Sequence, residues 1–125
     1  MVATAPVALI ISDLFFAEAL RLALTRLGWR AEHADPDETA LETLAAVQPR
    51  LVLVDAGAPD LDWPAVVERA KQLRPAPFIL AFAGHKEEAT LDRARRLGCD
   101  LVVTNAAVVS QLPKLLASMS PDEEN

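Results

Sequence analysis

Pro49-Arg50-Leu51-Val52-Leu53-Val54-Asp55-Ala56-Gly57 places four consecutive branched aliphatic residues between a Pro-Arg entry and an Asp-Ala-Gly exit. A strand with one face in water alternates apolar and polar side chains. A strand without alternation is covered on both faces, as in a parallel sheet packed between helices. Runs of the same kind recur at Val7 to Ile11, Phe78 to Phe82 and Leu101 to Val103. Trp29 to Ala34 differs, because Arg30 and Glu32 oppose Trp29 and Ala31, which is the pattern of an edge strand.

Helical spacing fills the intervals. Phe16, Leu20, Ala23, Leu24 and Leu27 share one stripe, and Gly28 supplies a stop. Leu41, Leu44 and Ala45 make a second stripe, introduced by Asp35 as cap and Pro36 in the first turn. Val66, Ala70 and Leu73 make a third, opened by Asp62 and Pro64 and closed before Pro75. The fourth runs from about Lys86 to Leu97, with Leu91, Ala94 and Leu97 inward and Gly98 behind it. Val108, Leu112, Leu115, Leu116 and Met119 make the fifth, in which Pro113 predicts a kink or a late start. Five strands alternating with five helices through short connections predict an α/β fold with a doubly wound parallel sheet. One domain over residues 1–119 and a frayed polar tail over 120–125 are expected.

With 125 residues, 52% of them hydrophobic and 24% charged, the chain has the composition of one globular domain. The net charge of −6 argues against unaided nucleic-acid binding, which needs clustered Lys and Arg. Arg93, Arg95 and Arg96 are interleaved with acids and read as a solvated helix face. No apolar run approaches the roughly 18 residues of a membrane span, and the N-terminus has no signal-peptide pattern, so a cytoplasmic location is expected. Cys99 is the only cysteine and reads as a small apolar filler.

Ligands of an open parallel sheet bind beyond the C-terminal ends of its strands. The residues there are Ser12 and Asp13, Asp55 to Gly57, Ala83 to Lys86, and Thr104 to Ala106. Asp13 and Asp55 are expected to end adjacent strands, about 5 Å apart across the sheet. Two carboxylates so placed repel unless a cation lies between them, which suits Mg²⁺. Asp13 can instead serve as a helix cap. Lys86 lies near the same rim but reads first as an exposed helix residue, and His85 as a loop residue.

The segment Pro49 to Asp55, followed by Pro59-Asp60-Leu61-Asp62, is similar to the stretch around the phosphoacceptor aspartate of response-regulator receiver domains (CheY-like). Gly98-Cys99-Asp100-Leu101-Val102-Val103 resembles the lead into that family's last strand, and the likeness extends over Val7 to Met119. It implies a flavodoxin-like fold with strand order 2-1-3-4-5, Asp55 as phosphoacceptor, and Asp13, Asp55 and the Gly57 carbonyl as Mg²⁺ ligands. The chain departs from the family at several positions. Ser12 stands for a second acid, Phe82 for a Ser or Thr hydroxyl, Asn105 for a Lys, Val102 for an aromatic switch, Ala106 for a Pro and Trp63 for a loop Gly. Exchanging an acid and a Lys for neutral residues keeps the formal charge of the pocket but leaves nothing cationic to meet an added phosphoryl group.

The leading expectation is therefore an atypical receiver, or pseudo-receiver, that acts in two-component-type signalling by protein contact and is no enzyme beyond self-phosphotransfer at Asp55. The resemblance implies a contact or homodimer face on the fourth helix, fifth strand and fifth helix, including Arg93, Arg96, Val108 and Gln111, and a histidine kinase or a separate output protein as partner. The alternative is a working Mg²⁺-dependent phosphoacceptor. A flavin or nucleotide site is disfavoured, because Ser12-Asp13-Leu14-Phe15-Phe16 offers an anion a carboxylate and no glycine.

Overall fold

A computed structural model describes residues 5–34, 38–58 and 62–117. Strand and helix alternate throughout: β1 (Ala5–Ile10), α1 (Leu14–Arg26), β2 (Trp29–Ala34), α2 (Glu38–Val47), β3 (Leu51–Asp55), α3 (Trp63–Gln72), β4 (Phe78–Ala83), α4 (Glu88–Arg96), β5 (Leu101–Thr104) and α5 (Asn105–Leu116). All pairings are parallel, and the strands lie in the order β2-β1-β3-β4-β5. The reversal of strand order at β1 and β3 opens a crevice between their C-terminal ends.

The unalternating runs divide their side chains between two cores. Val7, Leu9, Leu51, Leu53, Leu80 and Phe82 face one side, where Ala17, Leu20 and Leu24 of α1 and Val108, Leu112 and Leu116 of α5 cover them. Ala8, Ile10, Val52, Val54, Ile79 and Ala81 face the other, under Leu44 of α2, Val66, Val67 and Ala70 of α3, and Leu91 and Ala94 of α4. Each buried aliphatic side chain is worth about 1.5–3 kcal/mol in removal from water, so this two-sided burial is what drives the sheet together. β2 is the edge that its alternation predicts, with Arg30 and Glu32 exposed and Trp29 and Ala34 buried.

Gly28 and Gly98 end α1 and α4 with φ of 92° and 91°, where a side chain would be strained. At the end of α2, Gln48 takes the left-handed conformation with φ 49°, a stop that no glycine signals in the sequence. Two boundaries depart from the sequence expectation. α4 begins at Glu88, with His85 and Lys86 in the preceding turn. α5 begins directly after β5, because Thr104 Oγ1 accepts the Ala107 amide at 3.3 Å and caps the first turn. The late start expected from Pro113 is not found, since this residue lies inside the helix. The Asp35-Pro36 cap, Asp60, Leu61, Met119 and the 120–125 tail lie outside the described residues.

Candidate functional site

Asp55 is the last residue of β3, paired in register with Phe82 of β4, and its side chain is half-buried. The Gly57 amide donates to Asp55 Oδ1 at 3.0 Å. Burial is the largest influence on this carboxyl and pushes it above the usual carboxylate range; the Gly57 amide and the Ser12 hydroxyl oppose that shift, while the negative charges of Glu87 and Asp13 add to it. Asp55 is thus a half-buried carboxyl that accepts the Gly57 amide and whose charged form is disfavoured mainly by burial.

Asp13 does not end β1. It follows the strand and caps α1, where its Oδ1 accepts the amides of Phe15 at 2.9 Å and Phe16 at 3.1 Å. The capping role and a place beside Asp55 coexist, since a cleft of about 180 Å³ is lined by Asp13, Phe16, Asp55, Phe82 and Asn105. Its floor is aromatic: the rings of Phe16 and Phe82 meet edge to face, 5.4 Å between centroids and 64° between planes. Phe82 is buried and Asn105, the first residue of α5, is exposed. No cation is among the lining residues, and Lys86 and His85 stand exposed in the turn after β4.

Two neighbours of the cleft carry no signal in the sequence. Glu87, in the N-cap position of α4, makes no side-chain cap bond; its Oε2 instead accepts the Gly84 amide at 3.0 Å. His33, on edge strand β2, bonds through Nε2 to the Ile11 carbonyl at 2.8 Å and ties the strand edge to the turn that carries Ser12 and Asp13. Neither residue belongs to a motif, because each acts through the reach of one side chain across a gap in sequence.

Among the described residues no three His, Cys, Asp or Glu side chains group to hold a metal ion. The donor set still fits a hard divalent ion that keeps most of its water. Asp13 and Asp55 line the same cleft, and one or two carboxylates with retained waters are the usual protein share of such a site.

Of the expected contact face, Arg96 and Gln111 are exposed, and the Arg93 guanidinium lies over the Trp63 ring at 5.7 Å. Val108 does not belong to that face. It is 0% exposed, packed into the core that α1 and α5 share, and the exposed apolar residue beside it is Val109 at 50%. Val102 is half-buried against the α2–α4 core, and Trp63 is buried at the start of α3, away from the cleft lining.

The five-stranded parallel order β2-β1-β3-β4-β5 agrees with known structures. The chain has the receiver fold. Over 93% of its length it superimposes on 98% of a response regulator receiver domain (CheY-like) from Methylobacillus flagellatus, with 22% identity and a TM-score of 0.77. The isolated REC domain of RcsB from Salmonella enterica serovar Typhimurium matches 93% of this chain over 87% of its own, at 19% identity and TM-score 0.73. NtrX from Brucella abortus matches 93% of the chain at 19% identity and TM-score 0.80, and there the chain spans only 26% of the longer protein. No protein-family model matches the sequence, and no curated protein does. The fold is thus shared with these structures at only 19–22% sequence identity. No helix of the described residues is long and apolar enough to cross a membrane.

Proposed function

We propose that the chain is an atypical receiver module that signals through protein contact and whose Asp55 accepts a phosphoryl group poorly. The observation that carries this reading is the lining of the Asp55 cleft. Two phenyl rings form its floor where a hydroxyl would have to meet a phosphoryl oxygen, and Asn105 stands at its rim without charge. Phosphoryl transfer depends on positioning and on positive charge around the transferred group, and the cleft supplies little of either. Mg²⁺, if bound, would be held by Asp13, Asp55 and the Gly57 carbonyl, and would supply the positive charge that the side chains lack.

Without an aromatic residue at Val102, the contact surface is best sought in residues that remain exposed whatever the state of the cleft. These are Arg96 and Gln111 with Val109, on α4 and α5. A histidine kinase, an output protein or a second copy of the chain are the partner classes that such a face would serve. A nucleotide or flavin reading is weakened by α1 itself, because Asp13 already occupies the amides of Phe15 and Phe16 that would have to hold a phosphate.

The test is incubation with acetyl phosphate and Mg²⁺, followed by intact mass, beside Asp55→Asn. The expected result is no phosphoryl adduct on either protein. An adduct on the wild-type chain that is absent from Asp55→Asn would make it a working phosphoacceptor and overturn the proposal.

A further inference from the structure

Gly57 and Gly84 lie just past the C-terminal ends of β3 and β4, and the space that their missing side chains leave is filled by Glu87. Its Oε2 lies 2.8 Å from where a Cβ on Gly57 would stand and 3.1 Å from the equivalent point on Gly84. Asp55 Oδ1 lies 3.5 Å from that same point above Gly57. Two carboxylates therefore converge on one spot. The Glu87 side chain turns away from the helix it precedes, makes no cap bond, and is held toward Asp55 by the Gly84 amide.

We propose that Glu87 is a built-in anion at the approach to Asp55, an autoinhibitory contact that repels phosphoryl-type anions from the cleft. This rests on the reading of the cleft as the place where a phosphoryl group would be met, and it adds a cause for poor acceptance that the sequence departures do not contain. The arrangement depends most on glycine at position 57: a side chain there would have to move the carboxylate, whereas one on Gly84 would press it by a few tenths of an ångström, and at neither position does the backbone take the left-handed conformation that by itself demands glycine. A simple loop brace is the competing account. Charge separates the two, because the amide oxygen of a glutamine accepts the Gly84 N–H as well as a carboxylate oxygen does but repels nothing.

The test is titration with beryllofluoride at fixed Mg²⁺, followed by amide chemical shifts, in the wild type, Glu87→Gln, Gly57→Ala and, as a control, Glu88→Gln. Glu87→Gln should bind about tenfold tighter than wild type at low salt, from loss of one like charge at this range. The gain should shrink in high salt as screening takes over. Gly57→Ala, which keeps the charge and moves it, should shift affinity in the same direction, and Glu88→Gln should match the wild type. Equal affinity in wild type and Glu87→Gln, or no binding by either, would overturn the proposal, as would an equal gain from Glu88→Gln. Tight binding by the wild type would instead overturn the reading of Asp55 as a poor acceptor, whatever the ratio between variants.

Discussion

Asp55 binds its proton more tightly in the folded chain than in the unfolded one, because burial dominates its environment and holds the carboxyl above its ordinary range. A carboxyl raised in this way contributes stability that is complete below the unfolded value and lost as pH rises through the folded value. At neutral pH the ionised side chain is therefore a cost to the fold. Asp55→Asn should melt higher than the wild type at neutral pH, with the difference vanishing in acid below the usual carboxylate range; thermal unfolding at both conditions measures it. An equal or lower melting temperature at neutral pH would mean that the Gly57 and Ser12 hydrogen bonds outweigh burial. Cys99 behaves in a parallel way, with its thiol pushed up to about 11 mainly by burial. It should react with iodoacetamide far more slowly in the native protein than in denaturant, and equal rates would show that the thiol is open. Asp55 and Asp13 were legible in the sequence because strand patterning alone places the residues after two apolar runs at one crevice. Glu87 was not, since its position depends on a side-chain rotamer over two glycines.

At the scale of elements, the start of α1 carries two duties on one side chain. Asp13 caps the helix with Oδ1 while lining the cleft. Asp13→Ala should cost about 1 kcal/mol in chemical denaturation, whereas Asp13→Ser, which also caps, should cost only a few tenths. A similar loss in both variants would show that the carboxylate matters for its charge more than for its cap. Below it, Phe82 is buried against Phe16 and the α1–α5 core. Phe82→Ala should lower stability by about 3–5 kcal/mol, in line with the emptying of a packed aromatic site, and a loss below ~1 kcal/mol by denaturant titration would mean that the cleft floor collapses to fill the space. Periodicity located every helix, but it could not tell which side of a stripe a single residue takes. Val108 falls on the apolar stripe of α5 and was also expected on the contact face; the register of α5 against β5 and α1 settles it in the core. The early start of α5 was hidden for another reason, as Pro113 argues against a helix locally while Thr104 capping and the burial of Val108, Leu112 and Leu116 favour it.

Over the whole molecule, the sheet is unevenly protected, and this sets where the fold can yield. Interior residues of β1, β3 and β4 are buried on both faces, whereas β2 exposes Arg30 and Glu32, and all four residues of β5 are only half-buried. β5 is also short, and its lead-in is fastened to β4 by the Asp100 amide on the Ile79 carbonyl at 2.8 Å and by Asp100 Oδ2 on the Ile79 amide at 2.8 Å. Amides open in contiguous units, and units with fewer buried apolar contacts open at lower free energy. Hydrogen exchange should therefore find β1 and β3 slowest, close to the global unfolding rate, with β5 and α5 opening earlier as one unit. Asp100→Ala should speed exchange in β5 and at Ile79 while leaving β1 unchanged. Uniform acceleration across all strands would mean that the sheet opens only as a whole, and that the α4–β5–α5 side has no independent freedom through which a partner could be sensed.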